Sequence, residues 1–252
     1  MNLLDKDIQP LFWTPSRLDK DSAWWGHVAF AHWITSVCKP KVLVELGTEN
    51  GVSYSAFCDA ILYSKIKAAL FAVDTWEGDN QTGSYGDDVY SDLDNYNNER
   101  YSDFSKLLRM TFNKARDLFN NDTVDILHID GYHTYDAVKW DFDSWLPKLS
   151  DRGIVLLHDT NVRHKEDYGV WKFFEELSRK YPCFNFLHSY GLGIVVVGYD
   201  IPEPIRELCF LNEDDTEKVR NIFAHLGAIW IGVNRSYRSL ALLHADNSTP
   251  PH

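Results

Sequence analysis

Short, nearly continuous apolar runs recur along the middle of the chain. They lie at 41–46, 70–74, 124–130, 154–158 and 192–198. Runs of this length and composition are typical of strands in a sheet that is covered on both faces. Between them the apolar residues follow a helical period, as at Val138, Phe142 and Trp145. The alternation predicts an α/β fold with a doubly wound, mostly parallel sheet, right-handed crossovers and helices on both faces.

The pattern changes near the end of the predicted sheet. The apolar segments 184–188 and 192–198 are separated only by Ser189, Tyr190 and Gly191, a connection too short for a helical crossover. These segments therefore predict an antiparallel hairpin at the sheet edge.

A polar segment follows the second predicted strand. Residues 77–100 are rich in Asp, Asn, Gly and Tyr and show no clear period. Because this segment starts at the carboxyl end of a strand, where loops often carry function, we expect a lid-like insert over 77–104.

These patterns divide the chain into three parts. We expect residues 1–40 to form a helical lead-in and residues 41–200 to form the main domain. Residues 201–252 begin with a linker-like Ile-Pro-Glu-Pro stretch, followed by a helix around Thr216–Leu226 and a short apolar stretch at 228–233.

Composition narrows the class of protein. The 252 residues are 44% hydrophobic and 25% charged, as in ordinary globular proteins. No apolar run approaches the roughly 20 residues of a membrane helix, and the start of the chain carries Asp5, Lys6 and Asp7 where a signal peptide would be apolar. We therefore predict a cytoplasmic protein without a transmembrane segment.

Charge and cysteine content exclude two further classes. The formal net charge is -12, so the general field of the molecule repels phosphate backbones and disfavours nucleic acid as a partner. The four cysteines never occur in C-x-x-C spacing, which removes the usual zinc and dithiol signatures. Reduced, structural thiols are the simpler interpretation.

A glycine-bearing turn follows the first predicted strand. The dinucleotide fingerprint G-x-G-x-x-G starting at Gly47 would need glycine where the chain has Glu49 and Val52. The glycines are instead Gly47 and Gly51, which allows a ligand that is not a pyrophosphate to approach the backbone closely. The carboxylate of Glu45 would suit a ligand with a cationic amine or sulfonium.

An acidic residue closes the second predicted strand. Asp74 stands 27 residues beyond Gly47, close to where doubly wound nucleotide sites place an acid for the ribose hydroxyls. Trp76 beside it could cover a base. The alternative is an aspartate that caps the next turn, with a core tryptophan behind it.

Two later strands end in histidine and aspartate. The sequence is His-Ile-Asp-Gly-Tyr-His at 128–133 and His-Asp-Thr-Asn at 158–161. Carboxyl ends of adjacent parallel strands meet at one sheet edge, so Asp130, His133, His158 and Asp159 are expected to converge. Such a group suits a divalent cation of the Mg or Mn type, or a general base for a hydroxyl. Alternatively, His158 and Asp159 only cap the segment that follows them. For His128 we favour a place in the core.

Four segments in this order carry a resemblance to a known family. They are VLVELGTENGVSYSAF, AVDTWEGD, HIDGYHTYDAVKWDFDSWLPKLSDRGIVLLHDTNVR and GVWKFFEEL. The chain resembles class I S-adenosylmethionine-dependent methyltransferases, specifically the subgroup found beside, or fused to, glycosyltransferases in bacterial polysaccharide assembly. The resemblance covers about residues 41–198. It implies a Rossmann-like sheet of seven strands with an antiparallel last strand, and it makes 41–200 the cofactor-binding domain.

The resemblance also assigns candidate residues for S-adenosylmethionine. Around the methionine part of the cofactor it places Glu45, Gly47, Thr48, Gly51 and Ser53. It implies that Asp74, with Thr75, holds the ribose hydroxyls and that Trp76 flanks the adenine. Asp130 completes this cofactor set.

A divalent metal is a further implication of the resemblance. Related sugar O-methyltransferases with a metal have an acid at the position of Asp130 and a D-D pair at the position of His158 and Asp159. Here the first member of the pair is histidine, which ligates Mn or Zn but suits Mg poorly. Asp130, His158 and Asp159 are therefore the candidate metal ligands, and metal dependence remains open.

Methyl transfer from a sulfonium is an in-line displacement, so the protein must align the acceptor oxygen and weaken its bond to hydrogen. We hypothesise that His133 is the general base, while Asp130 and Asp159 orient the acceptor directly or through a metal. The insert would close over the site.

The resemblance implies an O-methyltransferase that acts on a sugar hydroxyl of a glycan or sugar-containing intermediate in cell-surface polysaccharide biosynthesis, with a glycosyltransferase domain or protein as a candidate partner. A non-catalytic cofactor-binding or scaffold module of a larger glycosyltransferase assembly is the main alternative. An NAD-linked oxidoreductase is disfavoured by the glycine spacing, and a hydroxylase-like relative with the same fold also remains open.

Overall fold

The computed structural model describes residues 8–81 and 83–247 of the chain. The strands are β1 (Val42–Leu46), β2 (Ala69–Asp74), β3 (Gly78–Asp79), β4 (Gly83–Ser84), β5 (Ser105–Arg109), β6 (Val124–Ile129), β7 (Leu149–His158), β8 (Cys183–Phe186) and β9 (Leu192–Val196). The helices are α1 (Val28–Cys38), α2 (Val52–Ser64), α3 (Asp87–Arg100), α4 (Phe112–Arg116), α5 (Tyr135–Trp145), α6 (Val170–Leu177), α7 (Glu203–Cys209) and α8 (Glu213–Asn247). Short 3-10 helices occupy Gln9–Phe12, Ala23–His27 and Leu146–Lys148.

Seven strands form one sheet in the order β5-β2-β1-β6-β7-β9-β8. The first five are mutually parallel, and β9 runs antiparallel to both of its neighbours, β7 and β8. The predicted fold class is therefore confirmed, including the antiparallel last strand. The strand order reverses at β1, so the carboxyl ends of β1, β2, β6 and β7 border one crevice, where ligands bind in doubly wound sheets.

The predicted hairpin is also present. It consists of β8 and β9, and the tight connection places Ser189, Tyr190 and Gly191 in succession at positive φ. Glycine adopts this conformation without strain, whereas the two residues before it do so at some cost. The last strand, β9, inserts between β7 and β8, which leaves β8 at the edge of the sheet.

Hydrophobic side chains fill a layer on each face of the sheet. Leu43 packs in the layer that contains α1 and α2, and its neighbour Val44 packs in the layer that contains α5 and α6. Successive side chains of a strand point to opposite faces, so β1 is covered on both. This double burial explains why its sequence is apolar throughout.

The polar segment after β2 is more ordered than its composition predicts. It contains the two-stranded β3–β4 sheet and the 14-residue helix α3. Only Leu93 and Asn97 of α3 are buried. A helix with so small a buried face has no apolar period to detect, which is why the sequence showed none.

The C-terminal part differs from the expected linker and short helix. Helix α7 begins within the linker-like stretch, and α8 runs for 35 residues, well beyond the predicted end at Leu226. The predicted helix ended just before Gly227. In the structure, a Cβ on this residue would lie 2.3 Å from the carbonyl oxygen of Gly26, so the glycine permits close packing of α8 on the 3-10 helix Ala23–His27.

None of the helices in the described ranges combines the length and the apolar character needed to cross a membrane.

Candidate functional site

A cleft of about 830 Å³ opens at the carboxyl ends of β1, β2, β6 and β7. Most of the predicted site residues line it: Gly47, Thr48, Gly51, Ser53, Asp74, Thr75, Asp130, His133, His158 and Asp159. Their convergence follows from the strand order, because each belongs to a strand end or to the turn after it. The two remaining predicted residues, Glu45 and Trp76, lie outside the lining.

The glycines of the first turn are required by contacts inside the protein. Gly47 has a φ of 85°, and a Cβ there would lie 2.1 Å from the backbone oxygen of Asp130. Gly51 has a φ of 75°, and a Cβ there would lie 2.5 Å from a methyl group of Leu93 in α3. The prediction attributed these glycines to close approach of a ligand. The structure shows a reason inside the protein, since both glycines allow β6 and α3 to close against the turn; approach of a ligand stays a prediction.

Asp74 joins two loops at the floor of the cleft. Its Oδ2 accepts hydrogen bonds from the backbone N–H groups of Thr48 (2.9 Å) and Glu49 (3.0 Å), and its Oδ1 accepts one from Trp76 (2.8 Å). The aspartate therefore caps the turn, as the alternative interpretation expects. It also lines the cleft with a side chain that is 9% exposed.

Trp76 is fully buried and has a φ of 52°. Its indole N–H donates to the carbonyl oxygen of Glu49 at 2.9 Å, and its ring lies 5.0 Å from that of Tyr90 in α3. The side chain supports the glycine turn from behind.

Glu45 is likewise buried behind the cleft. Its Oε2 lies 2.8 Å from Nδ1 of His128, and both side chains are inaccessible to solvent. Burial raises the pKa of the Glu45 carboxyl, although the hydrogen bond to His128 opposes this. The expected core position of His128 agrees with this burial.

Two carboxylates and two imidazoles meet at the ends of β6 and β7. His133 Nε2 lies 3.0 Å from Asp159 Oδ2 and 3.6 Å from Asp130 Oδ1. His158 Nδ1 lies 3.0 Å and 3.3 Å from the same two oxygens. The predicted convergence of these four residues is thus observed.

This arrangement shifts every pKa in the cluster. Burial alone would lower the pKa of His133, but hydrogen bonds to Asp130 and Asp159 outweigh it and raise the pKa to about 9. The pKa of His158 rises well above its ordinary value despite burial, because both carboxylates attract its charge. Burial would raise the pKa of each aspartate, yet the charge on His158 holds both below the usual range. Each of these shifts favours the charged form of its group.

The insert after β2 holds His133 in place. Oε1 of Gln81 accepts hydrogen bonds from the backbone N–H of His133 (3.0 Å) and from its Nδ1 (2.8 Å). The Gln81 amide donates to Asp167 at 2.8 Å. Tyr168 stacks on the His133 ring with the centroids 4.6 Å apart and the planes 2° from parallel. The imidazole therefore carries a proton on Nδ1 and presents Nε2 to the two aspartates.

Sequence reasoning missed the residues that come from distant segments. The N-terminal segment contributes Asp21, Ser22 and Trp24 to the lining, and α8 contributes Arg235. Helix α8 is fixed there by Asn234, whose amide donates to the carbonyl oxygens of Leu18 and Lys20, each at 2.8 Å. No local pattern signals such residues, because they reach the cleft only through the docking of α8.

Tyrosines at the opening of the cleft were also missed. Tyr85 comes from the insert, Tyr132 follows β6, and Tyr168 and Tyr190 lie in the loops after β7 and β8. Aromatic residues make up 14% of the chain, but nothing in the sequence placed these four rings together.

Donor atoms for a metal are close together in part of the cluster. One ligand atom from each of Asp130, His133 and Asp159 lies within 4.8 Å of the others. This set contains His133 where the prediction had His158. The spacing suits a cation, but each of these atoms already faces a partner of opposite charge.

Residues 44–160 match the model of a family described as a methyltransferase domain. The predicted class of domain is thereby confirmed for this segment. The chain is also 41% identical over 220 residues to an uncharacterized protein of Sinorhizobium fredii. The match covers 87% of this chain and 23% of the relative, so the chain spans about a quarter of that protein's length.

Solved structures resemble the fold. The O-methyltransferase TomG of Streptomyces achromogenes, solved in complex with SAM, aligns with a TM-score of 0.52 and 13% identity over 72% of this chain and 82% of its own. A methyltransferase from Geobacter sulfurreducens aligns with a TM-score of 0.50 and 16% identity over 70% of this chain and 80% of its own. Both likenesses concern the fold, and they agree with the predicted Rossmann-like class.

Proposed function

We propose that this chain is an S-adenosylmethionine-dependent O-methyltransferase whose acceptor is a sugar hydroxyl. The observation that carries the proposal is the shared cleft, in which the glycine turn after β1 and the His133–Asp159 pair after β6 and β7 line one space. A cofactor bound at the glycine turn and an acceptor hydroxyl beside the His133–Asp159 pair would then be adjacent. The match of residues 44–160 to a methyltransferase domain supports the same class of reaction.

The cofactor half of the cleft comprises the turn after β1 and the ends of β2 and β6. When bound, S-adenosylmethionine supplies an electrophilic methyl group on a sulfonium. The turn residues Gly47, Thr48, Gly51 and Ser53 would surround its methionine part, and Asp74 with Thr75 would hold the ribose. Acidic side chains in this half favour the positive sulfonium electrostatically.

Glu45 and Trp76 act on this half indirectly. Each is buried behind the lining, so each would shape the pocket through its partner rather than by touching the cofactor. Trp76 fixes the backbone of Glu49, and Glu45 fixes His128 beneath the crevice.

The acceptor half carries aromatic rings and hydrogen-bonding groups. Tyr85, Tyr132, Tyr168 and Tyr190 line the cleft, as does Asp79, and we assign them to this half. Tyrosine rings pack against the apolar faces of sugars, while carboxylates accept hydrogen bonds from sugar hydroxyls. This lining favours a sugar over an apolar acceptor.

The reaction requires one proton acceptor, for which we propose His133. The acceptor O–H gives its proton to Nε2 of His133 while the oxygen forms a bond to the methyl carbon. When bound, S-adenosylmethionine would supply the methyl carbon, and the electron pair of the broken carbon–sulfur bond would stay on sulfur. At rest, Nε2 holds a proton toward Asp159, and this proton would pass to solvent before Nε2 accepts another; a positive sulfonium nearby would lower the pKa of His133 and favour that release.

The wider role that we propose is cell-surface polysaccharide biosynthesis in the cytoplasm, next to a glycosyltransferase domain or protein. The resemblance in sequence suggests this setting. The length of the Sinorhizobium fredii relative, of which this chain matches 23%, is compatible with further domains in such proteins.

A methyl-transfer assay tests the proposal. Labelled S-adenosylmethionine is incubated with the protein and a panel of sugar nucleotides and oligosaccharides, and methylated sugar is detected by mass spectrometry. We expect methylation of at least one sugar. Tight cofactor binding without transfer to any of them would contradict the proposal and support the non-catalytic scaffold module instead.

A further inference from the structure

His158 is held on both of its ring nitrogens. Nδ1 faces Asp159 Oδ2 at 3.0 Å and Asp130 Oδ1 at 3.3 Å, and Nε2 faces the backbone oxygen of Ser189 at 3.1 Å. The side chain is 4% exposed. The partners come from the residue after β6, from the residue after β7 and from the β8–β9 turn, so three segments fix the ring.

The partners determine where the protons lie. A backbone carbonyl oxygen only accepts hydrogen bonds, so Nε2 must carry a proton. Nδ1 faces one oxygen of each carboxylate, and a proton on Nδ1 is the donor that both oxygens can accept. His158 is therefore an imidazolium, and neither nitrogen has a lone pair to offer to a metal ion.

The neighbouring histidines support this assignment. His27 also approaches the Ser189 oxygen, at 3.2 Å through Nε2, and its ring lies 5.6 Å from that of His158. Burial lowers the pKa of His27 well below its ordinary value, and the charge on His158 lowers it further. His27 has no carboxylate partner among the described contacts, whereas His158 has two. The positive charge is thus concentrated on His158.

The same two carboxylate oxygens serve both charged rings. Asp130 Oδ1 and Asp159 Oδ2 are each approached by His158 Nδ1 and by His133 Nε2. Two negative charges are therefore balanced by two positive charges. A divalent cation on these oxygens would have to displace a proton from His133 and would lie against the imidazolium of His158. The residues present do not fit the metal that the sequence pattern suggested.

We propose that His158 replaces a divalent cation in this site: its imidazolium holds Asp130 and Asp159 in position, and the site functions without a metal. His158 is thus a positioning residue, acting on the acceptor through the two carboxylates. The role of His158 in catalysis rests on the proposed methyl transfer, whereas the exclusion of the cation does not. His158→Asp should turn the cluster into a cation site, since it adds a third carboxylate and removes the positive charge.

Electron paramagnetic resonance of Mn(II) tests the exclusion directly. The metal-stripped full chain, the His158→Asp variant and a His164→Asp control are each titrated with Mn(II), and the signal of the free ion is recorded. His164 is exposed, so its variant adds the same charge outside the cluster. We expect His158→Asp to bind Mn(II) at least about tenfold more tightly than the wild type and the control do. Wild-type binding as tight as that of the variant would overturn the proposal.

A second measurement does not depend on the folding of a variant. Nitrogen-15 NMR of the wild-type protein distinguishes a doubly protonated ring from a neutral one. We expect both nitrogens of His158 to be protonated at neutral pH; a bare nitrogen would overturn the proposal. Neither measurement involves methyl transfer, so an inactive protein that still excludes Mn(II) would refute the proposed function alone. If methyl transfer is found, EDTA should leave its rate unchanged, and loss of the rate on metal removal would overturn the inference.

Discussion

His133 is the residue on which the proposed chemistry depends most. It lies in the cleft, its Nδ1 is fixed by Gln81, and its Nε2 points at the two aspartates. None of its described contacts holds the glycine turn after β1. Catalysis and cofactor binding are therefore separable at this residue.

His133→Ala should abolish most turnover and leave cofactor affinity nearly intact. Loss of a general base costs about 10²–10⁴-fold in rate. The measurement is kcat together with the dissociation constant for S-adenosylhomocysteine, and exposed His164→Ala serves as the control. A parallel loss of cofactor binding would make the role of His133 structural.

Gln81 should affect the same proton transfer through its hydrogen bond to His133, without touching the reacting atoms. Gln81→Leu keeps the size of the side chain but removes the acceptor for His133 Nδ1 and the donor to Asp167. We expect kcat to fall roughly tenfold or more while KM changes little, because the base is misaligned. Asn80→Leu, at the exposed neighbouring position, is the matched control. Equal effects of the two variants would contradict this role.

Asp141 in α5 gives a pH-dependent prediction on stability. Burial raises the pKa of its carboxyl from 3.8 to about 7. The folded chain therefore binds this proton more tightly than the unfolded chain, and the free energy of unfolding falls as the pH rises between those two values. Asp141→Asn removes the ionisable carboxyl and with it this fall in the free energy of unfolding.

We expect Asp141→Asn to match the wild type near pH 4 and to exceed it in stability at about pH 8. Urea unfolding at both pH values measures the difference. If the variant and the wild type differ in free energy of unfolding by the same amount at both pH values, ionisation of the Asp141 carboxyl is not the cause.

At the scale of elements, α8 brings the C-terminal part of the chain to the cleft. Its contact with the 3-10 helix Ala23–His27 is close because Gly227 meets the backbone of Gly26. Beyond this contact, Asn234 binds two carbonyl oxygens and Arg235 lines the cleft.

Gly227→Ala should therefore loosen α8. The added methyl group would collide with the backbone of Gly26, which costs about 1–3 kcal/mol in comparable cases. Gly232→Ala is the control in the same helix, since nothing lies within 4 Å of a Cβ there. It should gain about 0.5–1 kcal/mol from helix propensity. Thermal unfolding measures the change in Tm of each variant. Equal changes in the two variants would contradict the packing argument.

Strands that are buried on both faces were predictable from the sequence, whereas β5 and α3, which bury little, were not. The strands β1, β2, β6, β7 and β9 all gave apolar runs. The edge strand β5 has a mixed sequence, Ser-Lys-Leu-Leu-Arg, and α3 buries little, so neither gave a usable period. The predicted C-terminal helix ended at Leu226, whereas in the structure Gly227 lies inside α8 and packs closely against Gly26.

At the scale of the whole molecule, the order of the strands assembles the cleft. Candidate residues at the ends of β1, β2, β6 and β7 were predictable, because those strands bracket the reversal of strand order. Trp24 and Arg235, which line the cleft, and Gln81, which binds His133, were not predictable, since other segments bring them there. The burial of Glu45 and Trp76 depends in the same way on their packing partners, His128 and Tyr90.

The central claim is that this cleft binds S-adenosylmethionine. Calorimetric titration of the full chain with S-adenosylhomocysteine, in EDTA and with NAD as the negative control, tests it most directly. We predict micromolar binding of S-adenosylhomocysteine and no heat from NAD, with Asp74→Asn weakening the affinity. No binding of S-adenosylhomocysteine to the folded protein would contradict the methyltransferase function and leave the fold as described.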